Sequence, residues 1–195
     1  MHPSVTITAK GEQRLRSGHP WIYRSDIADV RAEGGDVVRV VGARGQTLGQ
    51  ALFSDRSQIT LRVVTLGEAV FDTALLRQRI AAAVAYRHAL APDATAYRLI
   101  HGEGDLLPSL VVDRYGDYLV VQALSQGMDR LTADVVRALV DEVSPTGILA
   151  RNDPRVRELE GLSRAVEVLH GDVPAAVPVR EGFVEYEDRK STRLN

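Results

Sequence analysis

Apolar and polar positions alternate with period two through the first third of the chain. SVTITA, DVVRVVG, TLGQALFS and QITLRVVT each carry β-branched or apolar residues at every second place and read as strands. ARGQ and SDRS are turn stretches between them. KGEQRLRSGHP is polar, with Gly18 and Pro20 closing one short helical turn and a loop. Four or five short strands with one short helix predict a small β-barrel over residues 1–66.

The period then becomes helical. FDTALLRQRIAAAVAYRHAL places Leu75, Leu76, Ile80, Val84 and Leu90 on a helical repeat, with Asp72 or Thr73 as N-cap and Pro92 as the stop. YRLIHGEGDLLPSLVVDRYGDYLVVQ follows as a hairpin turning at Arg114-Tyr115-Gly116. GMDRLTADVVRALVDEV predicts one second helix, with apolar positions at Met128, Leu131, Val135, Leu139 and Val143. TGILARND, AVEVLHG and FVEYE are three further strands. The expected class is α+β: a small barrel, then an α/β domain over residues 67–187 whose sheet carries two main helices. The boundary falls near Leu66-Gly67.

Composition narrows the chemistry. The chain has 195 residues, 45% hydrophobic and 26% charged, and no cysteine. Disulfides, thiolate metal sites and cysteine nucleophiles are excluded from it. Its apolar runs fall short of the roughly 20 residues that span a bilayer, and MHPSVTITAKGEQRLR lacks a signal-peptide core. A cytoplasmic protein with no membrane or metal partner is expected. The net charge is -2, unevenly placed. Residues 1–65 hold nine Arg/Lys against six Asp/Glu, whereas 66–187 hold twelve against nineteen. The first segment is therefore the better candidate for meeting a polyanion.

Two stretches stand out. HGEGD places Glu103 and Asp105 two apart, as an acid pair in a metabolic enzyme would need, but a glycine-bearing turn leading into the hairpin explains it more simply. GEQRLRSGHPWIYRSD sets Lys10, Arg14, Arg16 and Arg24 around His19, Tyr23 and the only tryptophan, Trp21. Arginines beside aromatic rings grip phosphates and stack unpaired bases. Trp21 could equally plug the barrel core. The candidate RNA-binding residues are thus Lys10, Arg14, Arg16, His19, Trp21 and Arg24. The five histidines show no metal spacing, and phosphate-loop and nucleophile-elbow motifs are absent.

RLRSGHPWIYRSDI, followed by GDVVRVVGARGQTLGQALFSDRSQITLRVVT, resembles the N-terminal PUA domain of bacterial 23S rRNA (cytosine-C5)-methyltransferases. YRLIHGEGDLLPSLVVDRYGDYLVVQ resembles the domain that comes next in that family, and RNDPRVRELEGL is similar to the segment after it. The likeness runs from about Val5 to Glu187. It implies a PUA barrel that binds ribosomal RNA, then a linker domain containing HGEGD. It further implies a third domain that binds S-adenosylmethionine and methylates through a cysteine, since a thiolate adding at C6 makes C5 nucleophilic. Neither that cysteine nor a nucleotide-binding domain is found in these residues. The expectation is an RNA-binding N-terminal portion without catalytic or cofactor-binding residues; the alternative is a stand-alone, non-enzymatic PUA protein that binds RNA. The last eight residues, DRKSTRLN (188–195), are expected to be a non-native tail. Lys10 is the only lysine among the first 187 residues against twenty arginines, and the octapeptide is the translation of GATCGGAAGAGCACACGTCTGAAC, a sequencing-library adapter.

Overall fold

The computed structural model describes residues 2–90, 94–181 and 184–189. It is a mixed α/β structure built on two main sheets that fall on either side of residue 67. The first has strand order β2-β6-β5-β4-β1-β3. Its strands are β1 (Ser4–Ile7), β2 (Trp21–Tyr23), β3 (Ile27–Arg31), β4 (Val37–Val41), β5 (Thr47–Phe53) and β6 (Ile59–Leu66). All pairings are antiparallel except β1 with β4. The two edge strands, β2 and β3, are consecutive in the chain and joined only by the 3-10 turn Arg24–Asp26, so the sheet curls toward itself.

The pattern explains why these segments are strands. In β4, Val38 and Val40 point into a core with Val5, Ile7, Ile22, Ala51, Phe53 and Leu61, while Arg39 between them is exposed. The polar stretch becomes α1 (Ala9–Arg16), where Thr8 Oγ1 accepts the Gly11 N–H at 3.2 Å. Gly49 has φ +150°, and a side chain there would collide with the Thr65 carbonyl, so the bulged β5–β6 crossing requires glycine.

The second sheet runs β11-β10-β9-β8-β7. Its strands are β7 (Ala96–His101), β8 (Leu110–Tyr115), β9 (Tyr118–Ala123), β10 (Gly147–Asn152) and β11 (Ala165–Gly171). The hairpin turns at Gly116-Asp117, with Tyr115 opposite Tyr118, rather than at Arg114-Tyr115-Gly116. Gly116 supplies the positive φ of 57° that such a tight turn needs. Helix α2 (Thr73–Leu90) starts on Asp72, whose Oδ1 accepts the Leu75 N–H at 2.8 Å. Pro92, expected to stop it, lies outside the described residues.

The expected second helix is two helices, α3 (Gln126–Arg130) and α4 (Thr132–Val143), broken at Leu131. The apolar spacing runs straight through the break and hides it. Ser125 caps α3 through the Met128 N–H, and α3 turns onto β5 of the first sheet, where a Cβ on Gly127 would lie 2.7 Å from the Leu52 Cβ. α2 and α4 pack on the second sheet around Ile80, Leu119, Val121, Val135, Leu139 and Ile148. β9 and β10 are parallel, joined through α3 and α4 as a βαβ crossover. A short helix, α5 (Val156–Leu159), follows β10. β12 (Ala176–Glu181) and β13 (Val184–Arg189) form a separate hairpin. β13 pairs Asp188 with Val177 and Arg189 with Ala176, so strand pairing continues two residues into the expected tail. Its other six residues lie outside the described ones.

The two sheets share a seam. In β5, Ala51 and Phe53 enter the first core while Leu52 enters the second. In β6, Leu61 belongs to the first core and Val64 to the second. Both strands are covered on both faces, and 51–53 reads as an unbroken buried run for that reason.

Candidate nucleic-acid interface

α1 and β2 bring most of the expected residues together. Asp26, fully buried, accepts from Arg14 Nε at 3.0 Å on Oδ2, and Lys10 Nζ lies 4.0 Å from Oδ1. The Arg14 guanidinium sits 4.9 Å from the centre of the Tyr23 ring, within cation–π range. His19 packs edge-on against Trp21, with centroids 5.9 Å apart, and tilted against Tyr23 at 6.0 Å. Its Nδ1 accepts the Trp21 backbone N–H. The Lys10 and Arg16 side chains are open, 72% and 64% exposed, against 29% for Arg14.

Arg16 reaches back one turn to Glu12 Oε1, 2.7 Å from Nη2. That hydrogen bond, assisted by Gln46 and the Arg16 and Arg44 charges, holds the Glu12 carboxyl below its ordinary range, against the opposing effect of burial. A carboxylate depressed in this way contributes stability above its unfolded value and loses it as pH falls through the folded one. An NMR titration of Glu12 is expected to give a midpoint below that of an ordinary glutamate; an ordinary midpoint would mean that Arg16 does not hold it. Arg24 donates through one nitrogen, Nη2, to the Asp55 and Ser57 carbonyls at 2.8 and 3.2 Å, and the residue is otherwise exposed.

Trp21 is neither wholly a core plug nor wholly open. It is half-buried, and its Nε1–H donates to Glu103 Oε1 at 2.9 Å across the seam. The carboxylates of HGEGD both have partners. The segment is β7's end plus a 3-10 turn, Gly102–Asp105. Glu103 holds Trp21. Asp105 accepts from the two terminal guanidinium nitrogens of Arg87, at 2.6 and 2.8 Å, and from the His101 N–H. Both carboxylates are thus hydrogen-bonded within the fold.

Sequence reasoning missed the seam residues. Arg62 and Glu160 form a buried ion pair at 2.8 Å, their side chains 7% and 1% exposed. Glu160 comes from RNDPRVRELEGL, where Arg157 also bonds the Ala123 carbonyl and Asp129. Arg130 on α3 pairs with Asp36 and donates to the Gly34 carbonyl. Arg79 on α2 donates to Val64 O and Leu106 O, each at 2.6 Å. The one available signal was a charge on an apolar stripe: Arg79 lies three residues after Leu76 and four before Ala83, both buried. Among the described residues, no group of three or more His, Asp or Glu is placed to hold a metal ion. No described helix is long and apolar enough to cross a membrane.

This architecture has known counterparts. Residues 5–66 match the family model described as a PUA-like domain. The chain as a whole is homologous to ribosomal RNA large subunit methyltransferase I. It is 40% identical to that protein of Aliivibrio fischeri (strain ATCC 700601 / ES114) over 192 residues, covering 95% of this chain and 48% of the relative. It is 37% identical to that of Shewanella amazonensis over 169 residues, covering 84% and 43%. The chain spans about half the length of the curated relatives it matches. The same fold recurs in a Streptococcus mutans protein assigned as a SAM-dependent methyltransferase, with TM-score 0.78, 17% identity, and coverage of 94% of this chain and 47% of that one. A second solved structure, assigned as a methyltransferase and complexed with SAH, superposes with TM-score 0.80 at 17% identity and the same coverage.

Proposed function

We propose that this chain is the RNA-gripping part of a SAM-dependent rRNA (cytosine-C5) methyltransferase, and that residues 1–66 make the grip. The carrying observation is the juxtaposition of exposed cations on α1 with the His19–Trp21–Tyr23 ring cluster on a PUA-like unit. Lys10, Arg14, Arg16 and Arg24 meet phosphates; His19 and Trp21 offer rings to bases. The homology to ribosomal RNA methyltransferases supports RNA as the polyanion. Residues 67–187 form the supporting α/β unit.

S-adenosylmethionine is the methyl donor this reading implies for the enzyme. The described residues do not fit it. The nearest glycine-bearing turn after a strand is Gly102–Asp105, yet β7 is an edge strand antiparallel to β8. Its two carboxylates are already hydrogen-bonded, Glu103 to Trp21 and Asp105 to Arg87. No step of methyl transfer is assigned to them.

The test uses Lys10 and Arg16 rather than Arg14, because removing Arg14 would strip the buried Asp26 of its hydrogen-bond donor. Lys10→Gln with Arg16→Gln is expected to flatten the slope of log K against log salt for single-stranded RNA by about 0.7 for each phosphate no longer neutralised. An unchanged slope removes α1 from the interface. RNA should also draw Arg16 off Glu12 and raise the Glu12 midpoint toward its ordinary value.

A further inference from the structure

A cavity of about 360 Å³ opens on the seam, beside α1. Leu15, His19 and Leu66 line it from the PUA-like unit, and Arg79 and Leu106 from the second unit. Its volume is at the small end of ligand sites, which run from roughly 300 Å³ upward. Three observations mark it as more than a packing gap. Leu66 and Leu106 are large apolar side chains left 65% and 61% exposed at its wall. Leu106 sits in the left-handed region with φ +58°, where a leucine is strained, so the surrounding structure must impose the pose. It does so through HGEGD: Trp21 on Glu103 and Arg87 on Asp105 pin the turn that presents Leu106. Finally, Arg79 has no carboxylate partner among the described residues. Of its five N–H donors, two carbonyls take one each, and its charge faces a largely apolar slot with the Phe71 ring 5.5 Å away.

A largely apolar slot with a guanidinium lacking a carboxylate partner and a histidine in its lining suits an aromatic ring that carries an acceptor and is attached to an anion. Lys10 and Arg16 supply positive charge for that anion on the helix whose Leu15 lines the slot. We infer that the seam slot receives one unstacked nucleobase of single-stranded RNA, with Leu66 and Leu106 against its faces and Arg79 donating to a base carbonyl. The inference rests on the RNA-binding reading and extends it, because Arg79 and Leu106 make the second unit part of the RNA site. A duplex, whose bases are paired and stacked, cannot fill the slot.

The experiment compares a single-stranded RNA oligonucleotide with an abasic ribose-phosphate oligomer of the same length, on the whole chain and on the variants Leu66→Ser and Leu106→Ser. Both positions are exposed, so the fold is expected to survive, and Trp21 fluorescence checks it. The chain as it stands should prefer the base-bearing strand by at least about fivefold, the lower range of one stacked base. Each variant should shrink that preference while leaving the salt slope set by α1 intact. Salt-dependent RNA binding with an undiminished base preference in both variants would overturn the slot and spare the RNA-binding reading. No salt-dependent binding by the unmodified chain would overturn both. Concentration-dependent self-association that disappears in the variants, with base preference unaltered, would make the slot a protein contact and overturn the inference.

Discussion

Glu160→Ala is expected to lower the unfolding free energy by about 3–5 kcal/mol, the range for removing one partner of a buried pair. Domains of ordinary stability have roughly 5–15 kcal/mol in total, so the variant should sit near the edge of folding. The reason is what remains. Arg62 keeps its charge on β6, between Trp21 and Leu52 on the neighbouring strands, and among the described residues it retains the Ile59 carbonyl as acceptor. Glu160 Oε2 also accepts the Gln126 N–H at 3.3 Å, so the start of α3 loses an acceptor too. Arg62→Met combined with Glu160→Leu should recover most of the loss, because apolar replacement of both partners leaves no orphaned charge. Urea unfolding followed by Trp21 fluorescence measures all three proteins. A loss below about 1 kcal/mol for Glu160→Ala, the range of surface ion pairs, would show that water reaches Arg62.

Leu52→Ala is expected to cost about 2–5 kcal/mol. Leu52 is 1% exposed, and its side chain enters the second core from a strand of the first sheet. The cavity would open where Gly127 lies against it. Because β5 serves both cores, fluorescence and far-UV circular dichroism should still report one coincident transition at lower urea. Two separated transitions would mean that the seam does not couple the units. Leu52→Met, which conserves volume, should cost less than about 1.5 kcal/mol.

Much of the fold was legible because local chemistry decided it. β4 announced itself by Val38 and Val40 flanking Arg39, α2 by Asp72 and its apolar stripe, and the β8–β9 hairpin by glycine between two apolar runs. Other elements were hidden by longer-range determinants. β12 escaped because Pro178 sits in its middle, and proline argues against a central strand; in a two-stranded hairpin that objection does not apply. The break at Leu131 escaped because α3 answers to Leu52 and to Asp55, which lies 71 residues before Gln126, and not to its own periodicity. At the site, the stretch from Lys10 to Arg24 was visible as charge and rings. The partners that define it were not: Asp26 beneath Arg14, Glu103 on Trp21, and Arg79 between Val64 and Leu106. Composition cannot show which acid or carbonyl a given side chain will find across 27 or 82 residues of chain.

The strands covered on both faces have a mechanical consequence. A joint between two units usually lets one swing against the other, and a guest is then captured by closure. Here β5 and β6 belong to both units at once, and Arg62–Glu160 rivets their common face. The distance from the cations of α1 to Leu106 is thereby fixed, as on a caliper with its screw tightened. Discrimination among RNA strands would then depend on spacing: how far along the backbone a base must stand from the gripped phosphates before it reaches the seam.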